Sequence, residues 1–424
     1  MRHRLSVVTT EGRWLMESLR RVCFVLLTVL AAVSAANAAG WPQFRGPSRD
    51  GTSPETGLLT QWPQEGPREL WSVEGLGTGY ASVSVADGLV LTTGLVGDQG
   101  YLFAFDLQGK PKYRVNYGAE WTDSGNYPSA RTTPTIDGDR LYLMSGLGRI
   151  ACHKLATGEP IWHVDTLQKF QGKNIRWGIA ESLLIDGEKV LCTPGGPDAT
   201  VVALNKMTGE TLWTSKGLSE PSAYCSPILV ERGPNRLIVT LVQKSLVGID
   251  AGTGKVYWTV PHEVNYDIQA VSPIHKDGLI YITNGYRHGS HGFLLSADGT
   301  SIEKKWSEKS LDVHHGGAVL VGGNIHGAAT NGTWICLDLA TGSVKHTDKL
   351  IGKGSVVYVD GMLYGYSERG LVGLIRIKPD GYELVSSFRV QKGSKEHWAH
   401  PAISDGRLYI RHGEVLMCYD VKGR

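Results

Sequence analysis

The sequence predicts an all-β protein, an eight-bladed β-propeller of four-stranded antiparallel blades whose last blade is closed by an N-terminal strand. Three observations lead to this fold class. Glycine is frequent, at 54 of 424 residues, and stretches with a helical composition are absent. Two glycine turn signals alternate along the chain, each about 45 residues from its next copy. Repeats of this length without a helical period are typical of propeller blades.

The first 38 residues carry the pattern of a secretory signal peptide. Arg20 and Arg21 precede the apolar run VCFVLLTVLAAV, and Ala36 and Ala38 supply a small-residue cleavage pattern. This run is shorter than the roughly 18 residues that a membrane-spanning helix needs. The sequence therefore predicts cleavage after Ala38, a periplasmic or secreted location, and no transmembrane segment after signal removal. An uncleaved membrane anchor is the alternative.

Residues 39–68 show no strand pattern and precede the first repeat. We expect them to form an extended strap that lies against the propeller. The propeller itself is expected to occupy residues 69–424.

Each repeat carries two turn signals. The first precedes an apolar strand, as in TIDGDRLYLMS, and its eight glycines are Gly88, Gly138, Gly187, Gly233, Gly278, Gly323, Gly361 and Gly406. The second follows a strand, as in LNKMTGE, and its glycines are Gly109, Gly158, Gly209, Gly254, Gly299, Gly342, Gly381 and Gly423. Asp-Gly and Thr-Gly supply the positive φ that hairpin turns demand. Each repeat therefore reads as four antiparallel strands, named a, b, c and d in chain order.

The eighth repeat lacks a strand d. The segment ELWSVEG, which begins at Glu69 and precedes the first repeat, resembles the d strands PIWHVD and TLWTSK. Pairing this segment with the last repeat completes the eighth blade and removes the exposed sheet edges.

Charge excludes one class of partner. The chain has 43 Lys and Arg against 41 Asp and Glu, a formal net charge of +2. A phosphate backbone is recognised mainly through excess positive charge. Nucleic acid is therefore not expected as a partner.

A motif within the repeat indicates a family. The string ALNKMTGETLW, from Ala203 to Trp213, has a small residue, a Thr-Gly turn and a Trp four residues after the Gly. The strings CHKLATGEPIW and GIDAGTGKVYW repeat this pattern. The pattern resembles the tryptophan-docking repeat of quinoprotein dehydrogenases and the wider pyrroloquinoline-quinone-like propeller superfamily. The opening WPQFRGPSRDGTS resembles secreted propellers of planctomycete-type bacteria. The resemblance implies the fold and leaves the activity open, because propellers host many functions.

The chain also departs from that superfamily. The resemblance implies pyrroloquinoline quinone with calcium as a possible cofactor, next to adjacent cysteines and an Asp base. The chain has no Cys-Cys pair and no C-x-x-C-H haem attachment site. Related outer-membrane assembly propellers are lipoproteins, and no lipidation Cys follows the apolar run. No cofactor is therefore assigned with certainty, and internal electron transfer through haem is excluded.

Five cysteines follow the signal segment. Cys152, Cys336 and Cys418 occupy the small-residue position of strand c, which predicts core packing. Cys192 and Cys225 belong to neighbouring blades, where a disulfide is the alternative to two separate thiols. Tryptophans at the equivalent place of strand d are expected to pack blade against blade: Trp71, Trp162, Trp213 and Trp258.

The candidate site follows from topology, since the segments entering strand a and the b–c loops lie on one face around the central channel. Aromatic faces stack on sugar rings or planar cofactors, while Arg and His bind carboxylates and hydroxyls. The expected ligand-binding residues are Tyr127, Arg131, Arg176, Trp177, Glu181, Tyr224, Asp267, Gln269, His314, His315, His397, Trp398 and His400. The imidazoles that are candidate ligands of a divalent metal are His288, His291, His315 and His400.

These residues favour a funnel that binds a small-molecule or glycan ligand, with catalysis left undetermined. One alternative is a quinone-dependent alcohol or sugar oxidoreductase, with Trp177 or Trp398 as the stacking floor and Asp267 or Glu181 as the base. Others are a metal-assisted polysaccharide lyase and a scaffold that binds a protein partner. In a further alternative, the histidines form only structural hydrogen bonds and there is no binding site.

Overall fold

A computed structural model of the chain describes residues 40–123, 125 and 127–423. The predicted signal peptide lies outside these residues. The described chain is an all-β propeller of eight antiparallel blades, each with four strands from its own repeat or, in blade 8, from two places in the chain. No helix within the described ranges is long and apolar enough to cross a membrane.

The first four blades have their strands a to d in chain order. Blade 1 contains Ser84–Ala86, Leu89–Val96, Gln99–Asp106 and Pro111–Ala119. Blade 2 contains Thr135–Asp137, Arg140–Met144, Arg149–Lys154 and Pro160–Asp165. Blade 3 contains Leu184–Asp186, Lys189–Cys192, Val202–Asn205 and Thr211–Thr214. Blade 4 contains Ile228–Arg232, Asn235–Leu241, Ser245–Asp250 and Val256–Pro261.

The remaining blades follow the same order, except that strand d of blade 8 comes from the N-terminal side. Blade 5 contains Ile274–Lys276, Leu279–Asn284, Gly289–Leu295 and Ile302–Glu308. Blade 6 contains Ala318–Val321, Asn324–Ala328, Thr333–Asp338 and Val344–Lys349. Blade 7 contains Gly354–Val359, Met362–Ser367, Leu371–Lys378 and Gly381–Arg389. Blade 8 contains Ala402–Ser404, Arg407–His412, Val415–Asp420 and Glu69–Val73. Within the described ranges, the two short helical segments are Thr166–Phe170 and Asn265–Asp267.

Burial differs between the strands of a blade. Strands b and c, such as Leu89–Val96 and Val415–Asp420, are buried over most of their length, because neighbouring blades cover both of their faces. Strand d is more exposed and alternates, as in Val344–Lys349. The a–b turn of blade 1 has the expected geometry: Asp87 and Gly88 both have positive φ, at 50° and 75°. Positive φ at both central residues is the requirement of a type I′ hairpin turn.

The ring is closed as the sequence predicts. Glu69–Val73 pairs antiparallel with Val415–Asp420, and Trp71 lies opposite Cys418. This pairing gives blade 8 the same four strands as the other blades and confirms the predicted closure.

Indole rings of strand d contact the turn of the next blade. The Trp162 ring lies over Gly209, and its Nε1 donates to the Lys206 carbonyl oxygen at 3.0 Å. Trp306 has the same role in blade 5, where its Nε1 donates to the Leu339 carbonyl oxygen at 3.0 Å. The sequence pattern missed Trp306 because it comes seven residues after the turn glycine Gly299 instead of four.

The position opposite each ring on strand c is small. Trp162 pairs with Cys152, and Trp213 pairs with Ala203. The five cysteines of the described residues are buried free thiols, so Cys192 and Cys225 form no disulfide.

The segment before blade 1 contacts the innermost strands of several blades. The Arg49 guanidinium donates to the carbonyl oxygens of Ser182 and Leu183 of blade 3, at 2.7 and 2.9 Å, and of Pro227 of blade 4, at 3.0 Å. Arg45 donates to the Ala318 carbonyl oxygen of blade 6. Further on, a two-residue strand, Thr52–Ser53, pairs in parallel with Gly354–Val359. Residues 40–51 therefore fill part of the central channel.

Candidate functional site

A cavity of about 300 Å³ opens on the face of the propeller where the chain enters each strand a. Its lining comes from the strap and from the segments that lead into seven of the eight blades, together with one b–c loop. The lining residues are Phe44, Tyr80, Tyr127, Arg131, Trp177, Ala180, Tyr224, Ile268, Ala270, Tyr286, His314, His315, Trp398 and His400.

Eight of the thirteen expected ligand-binding residues line this cavity. They are Tyr127, Arg131, Trp177, Tyr224, His314, His315, Trp398 and His400. Topology brings them together although up to 273 positions separate them in the chain. Their role in binding stays a prediction.

Two groups of stacked aromatic rings form much of the wall. Around Trp398, the ring centroids of Tyr80 and Tyr127 each lie 4.9 Å away, and that of His315 lies 5.3 Å away. Trp177 and Tyr224 form a second group at 6.0 Å. These tilted and edge-to-face ring contacts make the wall mainly aromatic.

Five expected residues lie outside the lining. The first, Arg176, supports it from behind, because its guanidinium lies 4.7 Å from the Trp177 ring centroid. The carboxylate of Asp267 accepts a hydrogen bond from Gln243 Nε2 at 2.8 Å. His397 stacks on His412 at 3.6 Å between ring centroids. Asp267 and His397 are thus held by partners outside the cavity, whereas Arg176 contacts a ring of the lining.

The other two are fully buried in the channel wall. Glu181 Oε2 accepts from the Thr193 amide at 2.9 Å, and burial raises the pKa of Glu181 to about 7. Gln269 Nε2 donates to the His262 carbonyl oxygen at 2.6 Å. Both side chains satisfy buried polar groups of the fold.

The cavity carries little charge. Among the described residues, the lining contains one guanidinium, Arg131, and no carboxylate. Burial lowers the pKa of Arg131. Burial also lowers the pKa of His314 and of His400 to about 3 each, so both imidazoles are neutral at neutral pH. Neutral imidazoles can donate and accept hydrogen bonds without adding charge.

The four histidines predicted from the sequence as metal ligands do not lie together at one site. His288 Nε2 accepts from the Asn265 amide at 3.0 Å, and His291 Nδ1 lies 2.8 Å from Ser307 Oγ. His400 Nε2 lies 3.0 Å from the His315 carbonyl oxygen. His288 and His291 thus lie apart from the cavity lining, whereas His315 and His400 belong to it.

Sequence reasoning missed several residues at or beside the cavity. Phe44 reaches the cavity from the strap, and Tyr286 comes from the same b–c loop as His288. Behind His315, Lys353 and Glu368 form an ion pair with 2.9 Å between Nζ and Oε1. Tyr286 and Glu368 lie in b–c loops and Lys353 precedes a strand a, so the topological rule placed these three positions on the cavity face, whereas Phe44 carried no such signal.

The lining does not fit a quinone held with calcium. Calcium takes six to eight oxygen ligands, and the described lining offers no carboxylate. A quinone with several carboxylates would meet a single guanidinium there. The five buried thiols of the described residues lie outside the lining.

Comparison with solved structures supports the fold. BamB from Moraxella catarrhalis superposes with a TM-score of 0.61 at 17% identity, covering 84% of this chain and 98% of that chain. The quinohemoprotein alcohol dehydrogenase from Comamonas testosteroni gives 0.64 at 12% identity, covering 92% and 82%. Its counterpart from Pseudomonas putida gives 0.64 at 13% identity, covering 91% and 81%. At these identities the likeness concerns the fold alone.

Sequence comparison identifies the family. A search of curated proteins finds no match. The family model described as outer membrane protein assembly factor BamB matches residues 64–348, which is more than half of the chain. The chain therefore belongs to this family of pyrroloquinoline-quinone-like β-propellers.

Proposed function

We propose that the chain is a periplasmic or secreted binding propeller whose cavity holds a ligand with a sugar-like ring. The observation that carries this proposal is the chemistry of the lining: aromatic rings surround one guanidinium and neutral imidazoles. A volume of about 300 Å³ suits a small ligand.

The balance of charge favours a neutral polyhydroxylated ligand. Apolar faces of sugar rings pack on Trp and Tyr, and the hydroxyl groups at the ring edge need hydrogen-bond partners. His314 and His400 can serve hydroxyls without the charge that would select an anion. Among the described lining residues, Arg131 supplies the guanidinium for an oxygen-rich edge of the ligand.

The family match favours a second candidate, a scaffold that binds protein partners. The matched family is described as an assembly factor of outer membrane proteins. A partner bound on the blade surfaces would not depend on the side chains inside the cavity, so cavity variants separate the two candidates.

The test is a calorimetric titration of the purified protein with a panel of neutral and uronic-acid oligosaccharides. We expect at least one neutral glycan to bind, and Trp398→Ala and Trp177→Ala each to weaken its binding by about tenfold or more, because each removes a stacking face. Tyr101→Ala is the matched control, since Tyr101 lies under Arg114 on blade 1 and outside the cavity. Equal binding by the cavity variants and the wild type, or no binding by any glycan, would contradict the proposal.

A further inference from the structure

Four polar side chains cluster on the cavity wall between blades 6 and 7. His314 and His315 precede strand a of blade 6, Lys353 precedes strand a of blade 7, and Glu368 follows strand b of blade 7. Both histidines line the cavity. One ligand atom from each of His314, His315 and Glu368 lies within 4.8 Å of the other two. Three groups that commonly bind metal ions thus converge.

The Lys353 ammonium lies among these groups. Its Nζ is 2.9 Å from His314 Nδ1 and 2.9 Å from Glu368 Oε1. An ammonium can only donate, so the His314 nitrogen and the carboxylate oxygen must both be acceptors. His315 Nε2 lies 2.6 Å from the same carboxylate oxygen. The acceptors therefore converge on a positive charge that the protein itself supplies.

We propose that His314, His315 and Glu368 form a binding site for a divalent transition-metal ion of the zinc class, and that Lys353 leaves the cluster when the ion binds. Two imidazole nitrogens and one carboxylate oxygen are a zinc donor set that leaves a fourth tetrahedral position open. Since both histidines line the cavity, that position faces the cavity. The site does not depend on the identity of the cavity ligand.

The exchange needs only side-chain movement. Zinc bonds of 2.0–2.2 Å place neighbouring ligand atoms about 3.4 Å apart, so the three groups must close by side-chain rotation. The Lys353 side chain is 21% exposed and has a flexible four-carbon stem, so its ammonium can move into water.

The protons of the cluster can be accounted for when the metal ion replaces the Lys353 ammonium. His314 already presents an unprotonated Nδ1 to the ammonium. The neutral ring of His315 must present Nε2 to the ion and carry its single proton on Nδ1 instead. The carboxylate of Glu368 loses the ammonium and gains the metal ion as its positive partner. No oxidant or reductant takes part.

The experiment is a titration of the metal-free protein with Zn²⁺ alone, followed by calorimetry, and with Co²⁺ alone, followed by visible absorption. We expect one ion per chain and the intense absorption of tetrahedral cobalt. Glu368→Gln and the double variant His314→Ala/His315→Ala should each weaken zinc binding by about tenfold or more. Lys353→Met should strengthen it by about tenfold, because the competing ammonium is gone.

The control is the double variant His288→Ala/His291→Ala, which removes two imidazoles from the same face but outside the cluster. It should bind zinc like the wild type. The proposal is overturned if this control loses the ion while His314→Ala/His315→Ala keeps it, or if neither the wild type nor Lys353→Met binds zinc. Thermal unfolding verifies that each variant is folded, and Lys353→Met still tests the site if the histidine variant does not fold.

Discussion

Buried acids show how single residues in this fold respond to pH. Glu181 is fully buried near Arg49, and burial raises its pKa from 4.5 to about 7. Between these values the folded state holds a proton that the unfolded state has already released. The free energy of unfolding contributed by this group is therefore largest near pH 4.5 and falls as the pH rises through 7.

We predict that Glu181→Gln weakens the dependence of stability on pH. From pH 5 to pH 8 the wild type should lose more of its free energy of unfolding than the variant, by up to about 3 kcal/mol. Urea unfolding at the two pH values measures the difference. Equal losses in both proteins would show that Glu181 releases its proton at its ordinary pKa.

Single residues also mark where sequence reasoning succeeds. Trp177 and Trp398 could be placed on the cavity because the strand order determines which segments enter strand a. The role of Glu368 could not be predicted, because it depends on a contact with His315, 53 positions away and in another blade. A lone Glu in a turn carries no signal of such a pairing.

At the scale of the element, a glycine on strand c lets the opposite ring lie close to the strand. Trp258 faces Gly248 and is 8% exposed, and Trp306 faces Gly292. A Cβ on Gly248 would lie 2.1 Å from the Trp258 ring. The glycine therefore lets the indole approach the strand closely.

We predict that Gly248→Ala destabilises the protein by about 1–3 kcal/mol, because the Trp258 ring must move outward. The backbone at Gly248 has no positive φ, so crowding is the only cause. Ala203→Gly, the reverse exchange in blade 3, serves as the comparison and should cost less than about 1 kcal/mol, the entropy term of an added glycine. Denaturant midpoints measure both, and an unchanged midpoint for Gly248→Ala would contradict this explanation.

The blade elements could be predicted well because each repeat uses the same turn chemistry at the same place. Trp306 was missed because it comes three positions later after its turn glycine than the other rings do, so a fixed spacing pointed to the wrong residue. Local patterns thus predict strands reliably and predict irregular turns poorly.

At the scale of the whole molecule, the strap before blade 1 contacts several separate blades and so links them. Arg49 is 4% exposed and donates to carbonyl oxygens of two blades.

We predict that Arg49→Met lowers the free energy of unfolding by about 2–4 kcal/mol, because several buried carbonyl groups lose their donor. Arg68→Met is the control, since the Arg68 side chain is 74% exposed in its ion pair with Asp420 and should contribute less than about 1 kcal/mol. Similar losses in the two variants would argue against a linking role for the strap.

The number of blades and their closure could be predicted because repeats can be counted. The path of the strap through the channel could not be predicted, because it depends on contacts with blades 3, 4 and 6. These contacts leave no periodic pattern in the sequence. The position of Phe44 at the cavity could therefore not be predicted from the sequence.

The pairing of Glu69–Val73 with Val415–Asp420 has a consequence for biosynthesis. The ribosome makes the first of these strands about 340 residues before the second, and domains form progressively during synthesis. Blades 1 to 7 can pack in turn as they are made, but Glu69–Val73 waits without its partner strand until the last blade is complete. Closing so long a loop is slow, so the nascent chain exposes one unpaired edge throughout its synthesis, and that edge is where a chaperone would be needed most.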